Sequence, residues 1–161
     1  MTYALLASLG LLVACVLVHY EALRVIGSAA LAIRNHRRAV LVVIFGVMAA
    51  HLAEIALYAA ALWLGHTLGL GTLSGITEPH AAQYFYLSAE TYTTLGMGDV
   101  YPSGDLRLIT AIEPLIGMLL IGWSGSYTYL AVQRYWVVDL ASPLDTNPSP
   151  SPAGNRHVDR S

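Results

Sequence analysis

The chain has 161 residues, 56% of them hydrophobic and 11% charged, with a formal net charge of −2 and a mean hydropathy of +0.58. Soluble domains carry roughly 25% charged residues, so this composition assigns the chain to a lipid bilayer. The near-neutral charge, without basic patches interleaved with aromatics, excludes nucleic acid, and a single cysteine, Cys15 in an apolar run, excludes a disulfide framework and a thiolate metal site.

Three apolar segments are long enough to cross about 30 Å of hydrocarbon. The first runs from Tyr3 to Val18 without a charge, then passes His19, Tyr20, Glu21 and Arg24 into Val25–Ile33. Its start lacks the positive charge of a secretory signal, and no small-residue cleavage site precedes a soluble domain. We therefore expect residues 1–35 to be a membrane helix whose inner end runs along the interface. The second span, Ala39–Trp63, is entered from the basic knot Arg34-Asn35-His36-Arg37-Arg38. Inside it His51 and Glu54 are three apart and share a helix face, with Tyr58 one turn further.

The connection to the third span begins with Gly65, Gly69, Gly71, Gly75 and Pro79, a loop composition. His80–Thr93 has neither glycine nor proline and predicts a short re-entrant helix. Then comes Thr94-Leu95-Gly96-Met97-Gly98, preceded by Thr93 and followed by Asp99. Non-helical backbone at membrane depth is tolerated only where it is buried in protein or lines a water-filled cavity. Turning successive carbonyls to one side of such a path needs dihedrals that a Cβ penalises and glycine tolerates. The Thr94 hydroxyl adds one more oxygen, and the short helix aims its partly negative C-terminal end at the place where a cation would lose its water.

The third span, Leu106–Trp136, would be about 46 Å long, so it must tilt or project beyond the bilayer. Pro114 removes a backbone donor and predicts a kink. Gly117 and Gly122 (with Gly125) are then hinge candidates or close-packing sites between helices. Counted inward, Glu54 lies about 14 Å below Trp63 and Glu113 about 12 Å below Asp105. That shared depth predicts a hydrogen-bonded cluster of His51, Glu54 and Glu113 tying the second span to the third. A proton-sensitive gate is the functional alternative, and a His/Glu/Glu metal site ranks behind both. Aromatics from Tyr127 to Trp136 mark the inner rim. The proline-rich, polar stretch after Leu140 predicts a disordered tail, with 139–161 as its bounds.

Orientation follows from the arginines. Arg24, Arg34, Arg37 and Arg38 lie in the first connection and Arg134 closes the third span, whereas Thr67–Asp105 holds Glu78, Glu90, Asp99 and Asp105 without a basic residue. The positive-inside rule puts the N-terminus and the 67–105 hairpin outside the cell membrane and the C-terminus in the cytoplasm.

The run from Ser88 to Pro102 resembles the pore helix and selectivity filter of two-helix bacterial potassium channels, whose filter reads Thr-Val-Gly-Tyr-Gly. The resemblance implies a pore domain over 36–138, with potassium held by the backbone carbonyls of Thr94, Leu95, Gly96 and Met97 and Gly98 completing the filter. Glu90, Thr93 and Asp99 would support it, with Glu90 and Asp99 sharing a proton or a water, because two carboxylates that close cannot both ionise cheaply. Met97 stands in place of the filter tyrosine, Leu95 in place of valine, and Tyr86 and Leu87 in place of the bracing tryptophans, so the tyrosine-to-tryptophan brace is lost from both sides. His51-Leu52-Ala53-Glu54, Glu113 and Gly122-Trp123-Ser124 also resemble a group of small bacterial three-span channel proteins.

The expectation is thus an all-α membrane protein with three transmembrane helices and a re-entrant pore helix and filter loop between the second and third. One filter strand cannot encircle an ion, so a homotetramer is expected, closed by rotational symmetry. It would conduct cations passively, potassium first and sodium second, with no cofactor, no catalysis and no soluble partner. The alternatives are a weakly selective cation channel and a non-conducting scaffold or regulatory subunit.

Overall fold

The computed structural model describes residues 2–75 and 79–141, with side chains as far as Arg134. Four helices account for most of them: α1 (Thr2–Leu31), α2 (His36–Thr67), α3 (Ala81–Tyr92) and α4 (Leu106–Ala141). Three, α1, α2 and α4, are long and apolar enough to cross a membrane. The protein is an all-α multi-pass membrane protein.

Asn35 separates the first two helices. α1 ends at Leu31, and at Asn35 the backbone is extended (φ −89°, ψ 111°) while the side-chain oxygen accepts the Arg38 amide at 3.2 Å, capping α2. With so short a link, α2 folds back along α1 as a helical hairpin. The inner end of α1 stays on this hairpin: Leu23, Ile26 and Ala30 are buried against Ala39, Val43 and Val47. The interfacial course expected for that end is therefore corrected, because three apolar side chains on one face gain more from α2 than from the membrane surface.

The short helix α3 is wedged between α2 and α4. It starts at the N-cap His80, whose amide is accepted by the Gln83 side chain, and ends at Thr93. Tyr84 and Leu87 from α3 share one core with Tyr58 and Leu62 of α2, Leu106, Ile109, Ile116 and Leu120 of α4, and Cys15 of α1. A two-residue antiparallel ladder, β1 (Leu73–Ser74) with β2 (Tyr101–Pro102), ties the two ends of the connection between α2 and α4 together. Ser103 extends the tie: its amide donates to Thr72 O at 2.8 Å, and the Thr72 amide donates to Ser103 Oγ at 3.1 Å.

Along α4, Glu113, Ile116, Gly117, Leu120 and Ser124 are buried on one face, while Leu115, Met118, Leu119 and Gly122 are exposed on another. The helix is continuous through Pro114, which has no N–H to offer the Thr110 carbonyl one turn earlier. A Cβ on Gly117 would lie 2.2 Å from Tyr92 O, so this glycine is a close-packing site for the end of α3; at Gly122 the space is open. The backbone helix reaches Ala141, three residues into the segment expected as tail, and 142–161 lie outside the described residues, as do the side chains of Tyr135 and Trp136.

Candidate functional site

The loop after α3 is shaped by one residue. Glu90, on the last turn of α3, accepts three consecutive amides: Leu95 N at 2.8 Å and Gly96 N at 3.2 Å on its backbone carbonyl, and Met97 N at 2.9 Å on Oε2. Every described peptide bond is trans, so each carbonyl points opposite to the N–H of its own peptide plane. The Thr94, Leu95 and Gly96 carbonyls therefore all face away from α3, to the open side. The backbone keeps them there by alternation: φ is +63° at Thr94, +56° at Gly96 and +78° at Gly98. Glycine makes two of these three positions inexpensive; at Thr94 a β-branched residue adopts the left-handed region, an outlier that the Thr94 amide bond to Thr91 O (3.0 Å) helps to hold. Residues 93–99 are exposed throughout, as a loop facing an axis would be in one isolated chain.

A second support comes from Tyr86. Its hydroxyl stands 3.0 Å from Asp99 Oδ1 and 3.1 Å from Met97 Sδ, so one proton is within reach of both acceptors. The bond to Asp99, with the negative charges of Asp99 and Glu90, pushes the Tyr86 hydroxyl above the ordinary phenol range, so it stays a donor at neutral pH. The brace expected to be missing is thus present in reversed form, with the hydroxyl on the short helix and the acceptors on the loop. Sequence reasoning treated Tyr86 only as a lost tryptophan; a bond to a residue thirteen positions further on leaves no signal in the sequence. Glu90 and Asp99 were expected to share a proton or a water; their side chains make no direct hydrogen bond to each other. Glu90 holds the amides and Asp99 holds Tyr86. Thr93 donates its hydroxyl back to Ala89 O at 2.7 Å.

Below the loop lies a polar network. Glu54 is fully buried, and its carboxylate accepts from His19 Nδ1 at 2.8 Å, from His51 Nδ1 at 3.2 Å and from the Tyr92 hydroxyl. His51 Nδ1 is also 2.9 Å from the Tyr92 oxygen, and His19 Nε2 is 3.1 Å from Ser124 Oγ. All four helices contribute: α1 gives His19, α2 His51 and Glu54, α3 Tyr92 and α4 Ser124. The three-residue cluster expected here is corrected. Glu113 is buried but binds Ser88 on α3, which also donates to Ile55 O at 2.8 Å, and Glu113 Oε2 has no hydrogen-bond partner among the described residues. Matching depth along two helices did not fix a shared partner: Glu113 meets Ser88 of α3, while Glu54 lies between His19 of α1 and Tyr92 of α3. His19 was the residue missed. A lone ionisable side chain closing a charge-free apolar run was its signal.

The family model described as "Ion channel" matches residues 39–132, more than half of the chain, from the start of α2 to the inner part of α4. No curated protein and no solved structure matches the chain. The match takes in α2, α3, the loop held by Glu90 and most of α4, and by it the chain belongs to the two-transmembrane-helix potassium-channel pore family of ion channels.

Proposed function

We propose that the protein is a passive, potassium-selective cation channel, assembled as a homotetramer around a filter formed by Thr94, Leu95, Gly96, Met97 and Gly98. The observation that carries this reading is the set of three amides tied to Glu90, which leaves the opposite carbonyls free for an ion. Carbonyl oxygens arranged around an axis replace the hydration shell of a permeant cation. The exposed face of α4, with Leu115, Met118, Leu119 and Gly122, supports assembly about that axis. The arginine distribution supports an outward-facing filter and a cytoplasmic C-terminus.

One observation favours a second reading, a weakly selective channel: Met97 is 66% exposed and held through a thioether, a weak acceptor. Purified protein in liposomes with a potassium gradient tests conduction, and reversal potentials in mixed potassium and sodium separate the two readings. Gly96→Ala puts a Cβ on a backbone at positive φ and should abolish flux while the assembled protein keeps its size on gel filtration. Undiminished potassium flux in that variant would overturn the filter assignment.

A further inference from the structure

α1 lies outside the family-matched segment, yet it delivers His19 to the buried face of the pore unit. Ligand atoms of His19, His51 and Glu54 all lie within 4.8 Å of one another. Two of the edges are short already: His19 Nδ1 is 2.8 Å from one Glu54 oxygen and His51 Nδ1 is 3.2 Å from the other. Bonds of about 2.0–2.2 Å to a tetrahedral zinc set its ligand atoms roughly 3.3–3.5 Å apart. Two of the three edges are thus already close to that spacing, and the third, between the two imidazoles, is no longer than 4.8 Å.

We propose that His19, His51 and Glu54 form a binding site for a divalent transition metal of the zinc class. Two imidazole nitrogens and one carboxylate oxygen are a borderline donor set, suited to zinc or cobalt and poorly suited to magnesium or calcium, which prefer oxygen throughout. Three protein ligands leave a fourth position. The Tyr92 oxygen, already bonded to both His51 and Glu54, is next to it, and a water can fill it.

The second ring nitrogen of His19 is provided for in either state. Without a metal, Nδ1–H donates to Glu54 and Nε2 accepts from the Ser124 hydroxyl. With Nδ1 on a metal, the proton sits on Nε2 and donates to Ser124 Oγ, 3.1 Å away, which orients the ring as metal-bound histidines require. Entry is available beneath the filter loop. His51 is only partly buried and, with Tyr92, Thr93 and Ser124, lines a cavity of about 490 Å³ between α2, α3 and α4. An ion there would clamp α1 to α2 directly, next to the tyrosine that ends α3.

Full-length protein, purified in detergent and stripped with chelator, is titrated with zinc and with cobalt. The expected result is one ion per chain, an X-ray absorption spectrum containing two imidazoles, a four-coordinate cobalt spectrum, and no competition from magnesium. His19→Gln should weaken zinc binding by more than about 100-fold. Ser124→Ala, which keeps every ligand, should weaken it about 10–100-fold. His80→Gln, at the exposed N-cap of α3, should leave it unchanged. If His19→Gln does not fold, the wild-type absorption spectrum and Ser124→Ala decide. No stoichiometric binding by the wild type, fewer than two imidazoles on the metal, or unaltered affinity in Ser124→Ala would overturn the site.

Discussion

Tyr86 shows how a lost side chain can be replaced from the opposite partner. A filter tyrosine bonded to a tryptophan places the donor in one subunit element and its anchor in another; here a tyrosine on α3 reaches out to Met97 and Asp99 instead. Tyr86→Phe removes the hydroxyl that reaches Asp99 and Met97. We expect it to lower the potassium-to-sodium permeability ratio, and Met97→Tyr to change that ratio less, because no tryptophan stands on α3 to donate its indole N–H to a new hydroxyl. Reversal potentials measure both, and a larger effect from Met97→Tyr would show that the brace does not run through Tyr86. Because the Tyr86 hydroxyl is shifted upward, its donor role is complete below the ordinary tyrosine value of about 10 and is lost only as pH rises beyond it. The Tyr86-dependent part of selectivity should consequently be flat between pH 7 and 9. None of this geometry was legible in the sequence, where an absent tryptophan is visible and a substitute bond between residues thirteen apart is not.

Helices are the level at which the sequence was most legible, because lipid imposes a length of about twenty apolar residues that no other context demands. The bounds of α2 and α3 fall within a few residues of the apolar and glycine-free runs that announced them. Relative rotation of the helices was not legible. Apolar residues surround α1, α2 and α4 almost evenly, since one side meets protein and the rest meets lipid, and both want the same side chains. That is why Glu113 was paired with the wrong partner and His19 with none. Gly117 decides between hinge and packing at this scale: with Tyr92 O only 2.2 Å from a built Cβ, Gly117→Ala must push α4 away from the end of α3. Overpacking of this kind costs about 1–3 kcal/mol. The expected outcome is a lower thermal midpoint in detergent by tryptophan fluorescence, with Gly10→Ala, on α1 where the space is open, as the unaffected comparison. Equal midpoints for the two variants would restore Gly117 as a free hinge.

For the whole molecule, orientation is the property most open to a direct check. A cysteine at Thr72, exposed on the connection between α2 and α4, should react with a membrane-impermeant thiol reagent added to intact cells, and one at Ser149 should not. The native Cys15 is fully buried and should contribute no labelling. The reverse pattern would turn the protein over and face the loop at 94–98 into the cytoplasm. Class, span number and the position of the loop all followed from composition and a five-residue run, whereas the joining of α1 to the pore unit through His19 rests on contacts 35 and 105 residues apart in the chain.

Glu90 carries a further consequence for assembly. Its three amide bonds span no more than seven residues, so the loop can take its final shape as soon as α3 has formed, with little loop-closure entropy and no help from a neighbouring subunit. In the proposed homotetramer, subunits would then meet as finished parts. The entropy of ordering residues 94–98 is spent inside each chain, which would leave the free energy of the subunit interfaces to hold the ring together rather than to fold its centre.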